Sequence, residues 1–320
     1  MKVLAIDLGG SHATCALVSE RTIVAQKTVS YANNENLMSI LPLISGAFNS
    51  LASENGFTFS ECAGLAIGFC GLVDTKNRRV LSTKGRFADA HDIDLKSWCR
   101  EMFNLELFID NDARTALLGE WFAGAGVGSD DLVMMTLGTG VGGAAMIEGR
   151  LLRGKHYQAG CLGGHLPVQI DGPICPCGNI GCVEALASTA VLPTLCKEWP
   201  GVEKSAVASL IGAGSVTGFG FKELLKLKKN GDVVAGEIFD SCIKAWSAGA
   251  VAMIHAYDPE RVIIGGGVIE GAADEIIPKV QEHIDRHAWT PWGRVTVHAA
   301  QLGNRAALLG AVALVQGAQK

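Results

Sequence analysis

The stretch Val3-Leu4-Ala5-Ile6-Asp7-Leu8-Gly9-Gly10-Ser11-His12-Ala13-Thr14-Cys15-Ala16-Leu17-Val18 decides the architecture. It reads as an apolar strand, a turn of glycines and a hydroxyl residue, and a second apolar strand, which predicts a β-hairpin. The same grammar returns in Leu132-Val133-Met134-Met135-Thr136-Leu137-Gly138-Thr139-Gly140-Val141-Gly142-Gly143-Ala144-Ala145-Met146-Ile147. A strand-like stretch (22–29) and a helical one (36–54) follow the first hairpin. Residues 150–153, a long loop and a helical stretch from Val183 follow the second. An internal duplication accounts for both sets. It predicts two α/β domains facing each other across a cleft, each supplying one glycine hairpin.

Between the hairpins, residues 64–73 read as a strand ending in a glycine turn. Residues 107–112 form a strand whose last positions, Asn111 and Asp112, are polar, and a helix begins at once over 113–121. Open α/β sheets bind ligands at strand C-termini, which singles out Asn111 and Asp112. Residues 202–252 look mainly helical, 261–268 form a strand entering a glycine turn, and 305–316 form a last helix. The expected division is 1–112 and 113–304, with the terminal segment 305–320 returning to the first domain.

Composition narrows the class. Forty of 320 residues are glycine, against about 7% in an average protein. With 48% hydrophobic residues, 9 prolines and no Gly-X-Y period, the chain is neither disordered nor collagen-like. The net charge of −5 offers no basic face for nucleic acid. Asp7 interrupts the apolar start, and the apolar run 306–315 falls short of the roughly 20 residues a membrane span needs. A cytoplasmic chain is expected, with its 10 cysteines in a reducing compartment. Seven of these (Cys15, Cys62, Cys70, Cys99, Cys161, Cys196, Cys242) lie among apolar residues and are expected to be buried.

Glycine turns let backbone N–H groups approach a ligand, and successive N–H groups form concave anion sites. Gly9-Gly10-Ser11 and Gly138-Thr139-Gly140 add hydroxyl donors, so phosphate is the expected ligand. Asp7 would repel phosphate unless a cation intervened, and Mg²⁺ fits that place. Two tight hairpins with a buried or solvated Asp remain the plainer alternative. Gly138, Gly140 and Gly143 also match G-x-G-x-x-G, but a strand follows where a dinucleotide site needs a helix. His165 precedes Cys175-Pro176-Cys177-Gly178-Asn179-Ile180-Gly181-Cys182-Val183-Glu184. His165, Cys175, Cys177 and Cys182 make the Cys₃His set of a closed structural Zn²⁺ site. The alternative is a set of loop cysteines without metal.

Together these motifs resemble the ROK family (repressors, open reading frames, sugar kinases) of the actin/hexokinase-like fold. The resemblance rests on residues 7–11, 111–113, 137–143, His165 with 175–184, and 265–268, and spans nearly the whole chain. It implies two ribonuclease-H-like domains flanking a central cleft and ATP-dependent phosphorylation of a hexose, usually at the 6-hydroxyl. It further implies that Asp112 takes the hydroxyl proton, that Asn111, His165 and Glu184 hold the sugar, and that Asp7 serves Mg²⁺. Gly9, Gly10, Ser11, Gly138, Thr139 and Gly140 would hold ATP phosphates, and Gly265, Gly266 and Gly267 would lie near adenosine. The partners expected are ATP and a sugar, with a homodimer or higher homo-oligomer as the assembly. A helix N-cap is the competing role for Asp112.

Two departures stand out. Family kinases usually read Ala-Gly-Glu-x-Gly-His before the zinc loop, whereas this chain has Ala159-Gly160-Cys161-Leu162-Gly163-Gly164-His165, one residue longer and without the Glu. Cys70 stands where the family often has Pro. The first removes an expected sugar contact, so glucose is not assumed and an inactive sugar-binding protein stays in view. Family regulators carry an N-terminal helix-turn-helix; here a strand is expected already from Lys2.

Overall fold

Strand β1 (Lys2–Leu8) is apolar at almost every position, the pattern of a strand covered on both faces. It pairs antiparallel with β2 (His12–Ser19), which pairs antiparallel with β3 (Thr22–Ser30). After α1 (Leu37–Asn55), β4 (Cys62–Phe69) returns parallel to β1. A small hairpin follows, β5 (Leu72–Asp74) with β6 (Arg79–Ser82), so the strand expected over 64–73 ends at Phe69 and a separate one begins. Next come α2 (Leu95–Phe103), β7 (Leu107–Asn111), parallel to β4, and α3 (Asp112–Ala123). The sheet order is β3-β2-β1-β4-β7. The computed structural model describes residues 1–32, 35–83, 85–212 and 219–317. Residues 213–218 of the expected helical stretch and 318–320 of the expected terminal segment lie outside these.

The second set of elements repeats the plan. It comprises β8 (Leu132–Leu137), β9 (Val141–Ile147), β10 (Arg150–Leu151), α4 (Val183–Ala187), α5 (Leu192–Glu198), α6 (Ala206–Gly212), α7 (Phe221–Lys229), α8 (Val233–Tyr257), β11 (Arg261–Gly265), α9 (Ala273–His287) and β12 (Thr296–Ala299). Its sheet order is β10-β9-β8-β11-β12, with β8–β9 antiparallel and β8–β11–β12 parallel. Each unit therefore carries the ribonuclease-H-like arrangement of the actin/hexokinase-like fold. In the first sheet Leu8 is in register with Phe69, and Phe69 with Asn111. In the second, Gly265 is in register with Thr136. Every glycine turn and polar strand end singled out above thus falls at the carboxyl edge of its own sheet. No described helix is long and apolar enough to cross a membrane.

One unit comprises Met1–Asp130, Leu151–Cys161 and Asn304–Lys320; the other comprises Asp131–Arg150 and Leu162–Gly303. The dividing line lies at Asp130, not after Asp112 as expected. The reason is the terminal helix α10 (Ala306–Gly317), buried at every position from Ala306 to Val315, which packs on α3, β1 and β4 and so keeps α3 with the first sheet. Residues 151–161 belong to this unit as well. Fully buried Arg114 donates to the Tyr157 carbonyl (3.0 Å) and the Ala159 carbonyl (2.6 Å), and Arg153 Nε donates to buried Asp110 (2.9 Å). Cys70 and Cys161, expected to be buried, are only partly so; the other five unclustered cysteines are buried.

Two glycines allow α3 and α10 to touch backbone to backbone. A methyl group at Gly119 would fall on the Ala306 carbonyl, and one at Gly310 on the Thr115 carbonyl. Gly310→Ala or Gly119→Ala is therefore expected to destabilise the first unit by about 2 kcal/mol or more. Gly46→Ala, in α1 with nothing within 4 Å, is expected to stabilise it by about 0.5–1 kcal/mol. Urea unfolding of the three variants checks the contrast, and equal stabilities would contradict the close crossing.

Candidate functional site

In the first unit, the strand-to-helix junction arranges two polar side chains. Asn111, extended at φ −61° and ψ 146°, caps α3: its Oδ1 accepts from the Ala113 and Arg114 amides. Its Nδ2 donates to Asp112 Oδ1 (2.8 Å) and to the Gly71 carbonyl (3.1 Å). The cap role considered for Asp112 thus belongs to Asn111, whose extended backbone lets the side chain reach the free amides. Asp112, at the first helical position, accepts from the Ala113 amide through Oδ1 (2.8 Å). Its Oδ2 has no hydrogen-bond partner among the described residues. Burial pushes its carboxyl above the ordinary range, although the Ala113 amide, Asn111 and the Arg86 charge pull the other way.

Asp7, near the end of β1, lies in the same field. Burial first, and the charge of Asp112 second, push its carboxyl up to about 7. A buried carboxyl raised by a neighbouring carboxylate is an arrangement that a divalent cation could offset. The turn at Gly9–Ser11 follows directly. Gly9 N–H donates to the His12 carbonyl (3.0 Å), while Tyr31 braces the turn from behind. Its hydroxyl donates to the Gly9 carbonyl (2.8 Å) and its amide to the Ser11 carbonyl (3.0 Å). The amides of Gly10 and Ser11 have no partner among the described residues, which leaves them free for an anion.

In the second unit, Gly138 N–H donates to the Gly140 carbonyl (3.0 Å), and the carbonyls of Gly138 and Thr139 are taken by the Thr189 and Ala190 amides. The Thr139 and Gly140 amides have no partner among the described residues. Glu184, in the first turn of α4, reaches into this turn: its Oε2 accepts from the Val141 amide (2.9 Å) and occupies the place where a side chain at Gly140 would begin. Gly266, at φ +89°, lies so close to Leu137 that no Cβ fits, and the Val268 amide donates to the Leu137 carbonyl (3.1 Å). The turn over 265–267 therefore rests on the base of the second hairpin. β9 follows that hairpin, as expected for the false dinucleotide motif.

His165, Cys175, Cys177 and Cys182 converge, their ligand atoms all lying within 4.8 Å of one another. Cys177 Sγ to Cys182 Sγ is 3.8 Å, and Cys175 Sγ to His165 Nδ1 is 3.6 Å. A tetrahedral zinc with Zn–S of about 2.3 Å and Zn–N of about 2.0–2.1 Å has edges of about 3.8 Å and about 3.6 Å. The donor set and spacing fit that ion. The loop has little core of its own, since Ile170 and Ile174 are 93% and 79% exposed while Cys175 and Cys182 are buried. His165 Nδ1 stands 4.0 Å from Glu184 Oε1, so the cluster, Glu184 and the second hairpin form one connected group.

Each predicted residue therefore joins one of two groups. The first unit collects Asp7, Gly9, Gly10, Ser11, Asn111 and Asp112. The second collects Gly138, Thr139, Gly140, His165, Cys175, Cys177, Cys182, Glu184, Gly265, Gly266 and Gly267. Sequence reading missed Tyr31 behind the first turn, Arg86 over it, and the buried pair Asp110 and Arg114 with partly exposed Arg153. The one available signal was the run Asp110-Asn111-Asp112, whose first member is as polar as the two singled out.

Comparison with known proteins gives a consistent relationship. The sequence pattern of the ROK family matches residues 3–318. A glucokinase of Thermotoga maritima is 33% identical over 99% of this chain and 98% of its own. A xylose repressor of Caldicellulosiruptor bescii is 26% identical over 98% of this chain and 77% of its own. Among solved structures, a ROK family glucokinase from Streptomyces griseus in complex with glucose and AMPPNP has a TM-score of 0.81 and 30% identity, covering 99% of this chain and 100% of the other.

Asp7 carries a stability consequence. An unfolded Asp loses its proton near the ordinary 3.8, and the folded chain holds it to about 7. Between those values the folded state binds more protons, so stability falls as pH rises, and above 7 the full cost is present. Asp7→Asn is expected to raise resistance to urea at pH 8, by at most about 4 kcal/mol and less for a partly exposed group, with the gain vanishing toward pH 4. Equal gains at both pH values would contradict a raised Asp7.

Proposed function

The chain belongs to the ROK family, and we propose that it is a sugar kinase that transfers the γ-phosphoryl group of ATP to a hexose or N-acetylhexosamine, at the 6-hydroxyl. The observation that carries this reading is Asp112: a carboxylate oriented by Asn111, with one oxygen unengaged and a raised proton affinity, at the carboxyl edge of the sheet. Phosphoryl transfer asks mainly for positioning, charge compensation and one base at the attacking oxygen. Asp112 takes the proton of the sugar hydroxyl as that oxygen attacks. The free amides at Gly9–Ser11 and Gly138–Gly140 receive phosphate oxygens, and the turn at Gly265–Gly267 borders adenosine. Mg²⁺, when bound, offsets phosphate charge, and Asp7 would hold it directly or through water.

His165 has two tasks in this reading. Its Nδ1, beside Cys175, is the side that would ligate Zn²⁺ with Cys175, Cys177 and Cys182, and the same ring would face the sugar. With four protein ligands, the zinc shapes the loop and activates no water. Glu184 binds the sugar through Oε1, because Oε2 already serves Val141. Cys161, standing where family kinases have Glu, directs its thiol to the Tyr157 and Gln158 carbonyls and offers no carboxylate. That substitution and the xylose repressor relative favour, as the second reading, a sugar-binding or regulatory member without turnover. The functional assembly is a homodimer or higher homo-oligomer.

Coupled ADP release over a panel of hexoses and N-acetylhexosamines tests both readings. At least one sugar is expected to drive turnover, and Asp112→Asn to lower it by about 10²–10⁴-fold with zinc retained. Sugar binding without ADP release would support the second reading instead. Metal analysis of the purified chain is expected to give one zinc per chain, and Cys182→Ser to lower both zinc content and thermal stability. A value well below one in the unaltered protein would defeat the zinc assignment.

A further inference from the structure

Arg86 belongs to neither group described above. Its guanidinium lies over the Gly9–Ser11 turn: a Cβ at Gly10 would stand 2.6 Å from Arg86 Nη1 and 2.8 Å from Cζ. Any other residue at position 10 would have to displace it. Arg86 is exposed, and no carboxylate pairs with it among the described residues. Its charge nevertheless reaches Asp112 and the Cys70 thiol, both of which it stabilises in their ionised forms.

The segment that carries Arg86 is pinned on its C-terminal side. Phe87 is buried, and it takes the left-handed backbone at φ +47° that a bulky residue adopts only when its surroundings hold it there. Its ring packs edge-on to Tyr31 and tilted against Phe69, each at 6.0 Å, and Tyr31 is the residue that braces Gly9. Two residues further on, the Asp89 carboxylate accepts the Leu37 and Met38 amides at the start of α1 (2.7 and 2.9 Å). One aromatic contact thus fixes both the turn and the arginine above it.

We infer that Arg86 is a phosphate-contacting residue, supplying the fixed positive charge of the first hairpin to the terminal phosphate of the nucleotide. The inference rests on the kinase reading and deepens it. A guanidinium beside two free backbone amides makes a charge-assisted anion site, with directional donors that match phosphate oxygens. It also answers an electrostatic difficulty. Asp7 and Asp112 place negative charge at the edge where a polyphosphate must come. A cation at Asp7 offsets part of that charge, and Arg86 offsets more without depending on the metal.

The test compares wild type with Arg86→Ala, Arg86→Gln and Arg86→Lys by calorimetric binding of AMPPNP and of AMP, each with Mg²⁺, and by turnover on the best sugar. The Ala and Gln variants are expected to lose affinity for AMPPNP by about 10–100-fold, the effect of a lost charge-assisted hydrogen bond. AMP binding stays unchanged, because AMP lacks the terminal phosphates, and Lys recovers part of the loss. Turnover falls in the same order, with the KM for sugar unaltered. Ala and Gln variants that bind AMPPNP as wild type does would overturn the inference, as would an equal loss for AMP. Absence of turnover in the wild-type chain would count against the kinase reading instead, and the AMPPNP and AMP measurements would still decide on Arg86.

Discussion

The carboxylate of Asp110 and the two arginines that meet it tie together three separate pieces of the first unit. Asp110 and Arg114 are wholly shielded from solvent; Arg153 Nη2 approaches Asp110 Oδ2 to 2.8 Å, and Arg114 Nη1 approaches Oδ1 to 3.5 Å. Burying such charges costs several kcal/mol per ion, so the group is poor evidence for net stability. Its effect is geometric. Asp110 is the next-to-last residue of β7, Arg114 lies in the first turn of α3, and Arg153 and the Arg114-bound carbonyls belong to the returning segment. Three pieces of chain are thereby held within hydrogen-bond tolerance around Asn111 and Asp112, the two residues that follow Asp110.

That rigidity lets an unfavourable arrangement persist. Burial raises the proton affinity of both Asp7 and Asp112, and the charge of Asp112 adds to it at Asp7. In a looser site the side chains would rotate apart or admit water. Here Asp112 is held by Asn111 and the Ala113 amide, and Asp7 lies on a central strand paired on both sides. A cation or a proton donor beside them would offset that cost. The second unit solves a different problem. Its cysteine loop has almost no apolar interior, so the four converging donors would gain most from a bound metal, and Cys182 leads straight into the helix that carries Glu184.

Local patterns in the sequence announced both hairpins, the polar end of β7, the cysteine cluster and the buried terminal helix. Each is a matter of spacing along a few residues: alternation and apolar runs for strands, glycine with hydroxyls for turns, three thiols in one short loop. Less legible were α2, α9 and β12, where the period is short or the apolar residues few, and the role of Asn111, which took the cap from Asp112. A cap is decided by which backbone is extended at the junction, and two neighbouring residues of similar preference leave that undecided. The unit boundary was misplaced for a related reason. A helix sides with the unit its apolar face packs on, and for α3 that partner, α10, lies nearly two hundred residues away along the chain.

By itself the sequence determined the duplication, the elements that bear the glycine turns, and which polar and thiol side chains stand at the strand ends and in the cysteine loop, because these follow from short-range chemistry. Only the tertiary structure decided which of those groups stand together. It placed Glu184 in the turn of the second hairpin, seated Gly266 on Leu137, buried Arg114 as the clamp of a distant segment, and hung Arg86 over Gly10. These are contacts between residues remote in sequence, set by sheet register and by how closely two backbones can approach, and no local pattern encodes either.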